Sequence, residues 1–109
     1  VLNKFKSYVK KKNISKNYRI LVVGLTYKYG VPDMRNSINY QIFNIIKNEY
    51  KNTKGYDPFV KFNNNIVKIK DILKFNLFVF LSDGEKFRNI FHKAKKLKKK
   101  IINPFEYFD

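Results

Sequence analysis

Residues 19–25 read RILVVGL, an apolar run with no alternation, closed by a glycine and one further leucine. A strand with one wet face alternates polar and apolar residues; an unbroken run fits a strand covered on both faces, as in a parallel sheet flanked by helices. Residues 77–81, LFVFL, repeat the pattern. Each run is followed by helical spacing: Ile38, Ile42, Ile45 and Ile46 after the first, and Phe87, Ile90, Phe91, Ala94 and Leu97 after the second. Strands alternating with helices imply βαβ units joined by right-handed crossovers.

Weaker elements complete the pattern. Residues 53–57 form a poor strand ended by Tyr56-Asp57-Pro58 and are best placed at a sheet edge, since proline cannot continue a ladder. Ile101-Ile102 gives a last short strand, and residues 66–73 a short helix or turn packing on the sheet. Leu2, Phe5 and Val9 mark a weak amphipathic helix over residues 2–12, followed by a linker over 13–17. Ser37 is the expected N-cap of the helix that begins at Ile38. The fold class is therefore α/β, a small Rossmann-like three-layer sandwich with a mainly parallel sheet in strand order 2-1-3-4. That order places a topological switch between the first and third strands, where ligands of such sheets bind. Residues 24–28 and Ser82-Asp83-Gly84 would line the crevice.

At 109 residues the chain fits one small domain. With no cysteine and one histidine, it offers neither a thiol nucleophile nor a metal cluster, so no metal site is expected. The formal charge of +16 invites a polyanion reading, through counterion release. Lysine, however, far outnumbers arginine (Arg19, Arg35 and Arg88), and asparagine and isoleucine abound, as AT-rich coding produces. A solvated surface is the expectation for most of that charge, residues 93–100 included. His92 falls on the lysine face of its helix and is expected to be solvated. No run approaches the roughly 20 apolar residues that span a bilayer. The expectations are a soluble, cytoplasmic protein with no membrane partner, and a chain beginning at Val1 rather than Met reads as a piece of something longer.

Between the first strand and its helix stands GLTYKYGVPDMRNS, residues 24–37. GLTYK, DMRNS, YDP about twenty residues on, and an apolar strand ending in SD together resemble the carboxyl-terminal domain of the UDP-glucose/GDP-mannose dehydrogenase family. The resemblance runs from about Lys16 to the end. It divides the chain into a helical segment of a preceding domain, residues 1–15, and a nucleotide-sugar-binding domain, residues 16–109. It implies an NAD-dependent enzyme that oxidises a UDP-sugar to its uronic acid. NAD is then bound by an N-terminal Rossmann domain, the catalytic cysteine sits in a central region, and the full enzyme is a homodimer. Lys28 matches the motif lysine that reaches the nucleotide sugar, and Arg35 the loop arginine near the cleft.

The residue types suit that role. A diphosphate needs cations and exposed backbone donors, which Lys28, Arg35 and a helix amino terminus at Ser37 supply. Tyr27 and Tyr29 suit stacking on a base or packing equally. Asp33 can pair with Arg35 or Lys28, and the plain alternative is that Asp33 and Arg35 staple the loop to its helix. Gly24, Ser82 and Asp83 would support the site. The sequence also departs from the family: Pro32 stands where many members have an acid, Ile38 where they have proline, and Asn103-Pro104-Phe105 where they often have an Asp-Gly-Arg-like turn. Phe105 cannot supply that arginine's charge. The alternative from a different class is a stand-alone basic Rossmann-like module binding nucleic acid or another polyanion.

Overall fold

The computed structural model describes residues 1–25 and 38–104. Four strands, β1 (Ile20–Val23), β2 (Lys54–Tyr56), β3 (Leu77–Phe80) and β4 (Lys100–Ile102), pair in parallel in the order β2-β1-β3-β4. That is the order expected from the sequence, with the two unbroken apolar runs at the centre. Strand periodicity explains their composition. Ile20, Val22, Leu77 and Val79 point into one hydrophobic cluster, and Leu21, Val23, Phe78 and Phe80 into a second on the opposite face. Neither face meets water, so neither register of alternation needs a polar residue.

Helices α1 (Leu2–Lys11) and α2 (Ile38–Glu49) cover the first face, and α3 (Glu85–Lys96), with the 3-10 helix Ile69–Lys74, covers the second. The result is a three-layer α/β sandwich. Phe5 anchors α1, its ring edge-on to Tyr50 at 5.6 Å between centroids. The segment expected as a linker carries a core residue, because Ile14 is buried among the residues of the first cluster. Asn13 (φ 53°) makes this possible: the Asn13 and Ile14 amides bond back to the Lys10 and Val9 carbonyls, a Schellman turn that folds the chain onto the sheet.

Other side chains depart from the expected faces. Ile42, Phe43 and Ile46 are the buried residues of α2, whereas Ile38 (59%) and Ile45 (47%) are exposed, since the helix stripe passes through Phe43 instead. On α3 the stripe ends at Ala94, and Leu97 lies beyond it in solvent. Ile66 does not begin a helix; it bridges Gly55 in parallel and so covers part of the outer edge of β2, which protects an exposed ladder from further pairing. Ile69 is exposed, and Ile72 carries the 3-10 helix into the second cluster.

Candidate functional site

At the switch, β1 and β3 part toward opposite faces, and the described residues there are held by a small set of directed contacts. Gly24 (φ +96°) donates its amide to the Tyr56 carbonyl at 2.9 Å and turns the chain against the end of β3. A Cβ at this position would lie 2.3 Å from Ser82 Oγ and 2.5 Å from Ser82 Cβ. Both the left-handed backbone and the contact require glycine.

The next amide, that of Leu25, donates to Asp57 Oδ2 at 2.9 Å, while Asp57 Oδ1 accepts the Phe59 amide at 2.9 Å. This carboxylate is only 1% exposed. Burial of a charge costs free energy unless hydrogen bonds replace its water, and backbone amides do so here. Leu25 itself is fully buried; a Cβ on Gly55 would come within 2.7 Å of its Cδ1, so the glycine of β2 makes its space. Tyr56, beside Asp57, has its phenol pushed above the ordinary tyrosine range by burial first and by the neighbouring carboxylate second.

Across the switch, Asn39 in the first turn of α2 donates its side-chain amide to the Leu81 carbonyl at 3.1 Å and to Ser82 Oγ at 3.2 Å. Asp83 is exposed, its Oδ1 accepting the Gly84 amide at 2.7 Å where α3 begins. The chain thus leaves β1 at Leu25 under the hold of Asp57 and re-enters α2 at Ile38, beside an asparagine fixed to the end of β3. Of the residues expected to support the site, Gly24 lies against Ser82, and Asp83 follows it in the chain. Tyr27, Lys28, Tyr29, Pro32, Asp33, Arg35, the N-cap Ser37 and Phe105 lie outside the described residues.

Asp57 and Asn39 were not among the site candidates drawn from the sequence. The aspartate had a visible signal, a polar residue between a tyrosine and a proline at a strand end; the asparagine had none. A second groove of about 330 Å³, lined by Tyr56, Pro58, Ile69 and Lys86 among others, adjoins the switch at Tyr56, whose carbonyl accepts the Gly24 amide. His92 is exposed, as expected. Among the described residues no group of His, Cys, Asp or Glu is arranged to hold a metal, and no helix is long and apolar enough to cross a membrane. The residues at the end of β1 do not fit a dinucleotide either. The Leu25 amide is already committed to Asp57, and GLTYKYG lacks the paired glycines of the Gly-x-Gly-x-x-Gly turn.

Among the described residues, a parallel sheet in the order β2-β1-β3-β4, covered by helices on both faces, defines a Rossmann-like α/β module. The chain belongs to the UDP-glucose/GDP-mannose dehydrogenase family: residues 21–108 match the profile of that family's UDP binding domain. A UDP-N-acetyl-D-mannosamine dehydrogenase of Pyrococcus horikoshii is 31% identical over 97 residues, covering 86% of this chain and 23% of that protein. The solved structure of UDP-D-ManNAc dehydrogenase from Pyrococcus horikoshii superposes with a TM-score of 0.72 at 25% identity, over 92% of this chain and 23% of that one. The native structure of the UDP-N-acetyl-mannosamine dehydrogenase Cap5O from Staphylococcus aureus gives 0.63 at 29% identity, over 80% and 21%. The chain therefore spans less than a quarter of the length of these relatives.

Proposed function

We propose that this chain is the part of an NAD-dependent UDP-sugar 6-dehydrogenase that holds the nucleotide half of the substrate, within an enzyme serving polysaccharide biosynthesis in the cytoplasm. The observation that supports the reading is the pair of contacts on described residues at the switch: the Leu25 amide is held by Asp57, and the Asn39 side chain bonds the Leu81 carbonyl and Ser82 Oγ. In this reading Lys28 and Arg35 carry the charges that meet the diphosphate, with Tyr27 beside the base and Ser37 presenting the amino terminus of α2. Asp33 orients one of the cations, and Gly24, Ser82 and Asp83 shape the opposite wall.

Hydride transfer to NAD and the thiol chemistry belong to the NAD-binding and central domains of the same enzyme, a homodimer in this reading. This chain's own residues bind, orient and neutralise the nucleotide; no proton or hydride passes through them.

Calorimetric titration of the chain with UDP tests the proposal. Lys28→Ala and Arg35→Ala should each weaken binding by about 1–3 kcal/mol, the scale of a charge-assisted hydrogen bond. Their melts should stay within about 0.5 kcal/mol of the parent, as for exposed loop substitutions. Unchanged affinity in a folded Lys28→Ala protein removes the loop from the site, and a collapsed melt in Arg35→Ala makes that arginine a staple of the fold. With NAD and UDP-sugars the 109-residue chain should form no NADH, since it contains no cysteine.

A further inference from the structure

Many of the lysines assigned from the sequence to a solvated surface lie at one end of the sandwich, although Lys4 and Lys86 do not. All four strands run parallel, and the crossover helices run back against them, so helix ends and strand starts share the pole opposite the switch. Side chains and backbone stitch that pole together. Asn52 Nδ2 donates to the Asn17 carbonyl at 3.1 Å, the Arg19 amide to Asn76 Oδ1 at 3.2 Å, and Lys99 Nζ to the Leu73 carbonyl at 3.1 Å.

The last turns of all three α-helices deliver cations there: Lys10 and Lys11 from α1, Lys47 from α2, and Lys95 and Lys96 from α3. Glu49, at the end of α2, is in an ion pair with Lys16, and Asp71, in the first turn of the 3-10 helix, is in one with Lys74. The remaining described carboxylates, Asp57, Asp83 and Glu85, follow β2 and β3 at the opposite pole. Crowding is felt locally: the Lys47 ammonium is pushed below the ordinary lysine range, by burial first and then by Lys54 and Lys51.

Leu97 sits within this ring. It caps α3 between Lys96 and Lys98, and is 52% exposed. Its position is fixed, because Lys98 (φ 57°) closes a Schellman turn in which the Lys99 amide bonds to the Ala94 carbonyl at 3.0 Å. An exposed leucine alone is ordinary. Set among lysines at a helix end, it gives the pairing of apolar anchor and polybasic surface that binds anionic bilayers.

The geometry points to this pole as a docking surface for an anionic membrane, the lysines meeting lipid phosphates and Leu97 entering the boundary between headgroups and acyl chains. This departs from the expectation, drawn from the sequence, that no membrane is a partner. Nucleic acid fits the pole less well. Base readout favours arginine forks and single-strand binding favours free aromatic faces. Arg19, the arginine nearest these strand starts, lies over the Phe75 ring at 5.1 Å, and Tyr18 and Tyr50 lie under Lys100 and Lys16.

Vesicle sedimentation with the 109-residue chain tests the proposal, using mixed phosphatidylglycerol–phosphatidylcholine vesicles against pure phosphatidylcholine at about 0.15 M ionic strength. The expected result is binding to the anionic vesicles alone. Lys96→Glu with Lys98→Glu should lower partitioning about tenfold or more, and Leu97→Ser about three- to tenfold. Lys86→Glu with Arg88→Glu, nearer the other end of α3, makes the same change in net charge and should have little effect. Circular dichroism checks that each variant is folded. Equal losses from the two charge-reversed pairs, an inert Leu97→Ser, or displacement from vesicles by duplex DNA at the same salt would each overturn the proposal, the last in favour of nucleic acid.

Discussion

The Asp57 carboxylate, at the end of an edge strand, accepts the amide of Leu25, 32 residues earlier in the chain, and so locks the exit of the central strand. Two backbone donors bond to it, the buried amide of Leu25 and the partly buried amide of Phe59. Asp57→Ala leaves both without their acceptor, which should destabilise the chain by about 2–4 kcal/mol. Asp57→Asn keeps one acceptor oxygen and should cost about half as much. Urea unfolding measures the difference; equal losses would overturn this account, because asparagine matches aspartate in volume and its remaining acceptor oxygen would then be giving no support.

Gly24→Ala should be among the most damaging single changes in the molecule. The new methyl would meet Ser82 Oγ at 2.3 Å in a backbone with φ of +96°. Overpacking and left-handed strain together predict a loss of about 2–4 kcal/mol. Ser82→Gly in the same chain removes the side-chain contacts but neither the 2.9 Å approach to the backbone nitrogen of residue 82 nor the strain, so a double-mutant cycle should recover only part of the loss.

Tyr56 predicts an alkaline limit to stability. Burial, then Asp57, raises its folded pKa, so the phenol holds its proton to higher pH when folded than when unfolded. Its contribution is whole below the unfolded value near pH 10 and is lost as pH rises through the folded value. Tm measured from pH 9 to 11.5 should fall less steeply in Tyr56→Phe than in the parent. Parallel curves would mean that Tyr56 ionises equally in both states.

Lys98 occupies a left-handed position that glycine fills at no steric cost. Lys98→Gly should stabilise the chain by about 0.5–1 kcal/mol, because relief of the backbone outweighs the added unfolded-state freedom. Asn13→Gly, at the matching turn of α1, should gain less, since asparagine already tolerates that conformation. Chemical denaturation of the two variants side by side checks the ranking.

The strand order was legible because two apolar runs without alternation admit one location, the doubly covered centre of a parallel sheet. The poor strand ending at Pro58 had to lie outside them. Side-chain placement was legible only where one period dominated. In α2 the isoleucines suggested a stripe through Ile45, but Phe43 makes the contact, because a large ring reaches the sheet from a neighbouring position. The bridge between Ile66 and Gly55 was invisible, since a single parallel pairing leaves no periodic trace. At the site, a glycine before a loop suggested a turn, whereas the ties by Asp57 and Asn39 arise from contacts spanning 32 and more than 40 residues, which no local pattern encodes.

The central strand β1 has further meaning for motion. Leu21, Val22 and Val23 pair with β2 on one side and β3 on the other, Ile20 pairs with β3, and all four are buried. An amide in that position has no small fluctuation by which to reach solvent. Deuterium should therefore enter Ile20–Val23 only when the whole domain opens, while β4, three residues long at the far edge, exchanges through local fraying. The slowest-exchanging amides then become a gauge of the total unfolding free energy, read under native conditions without any denaturant.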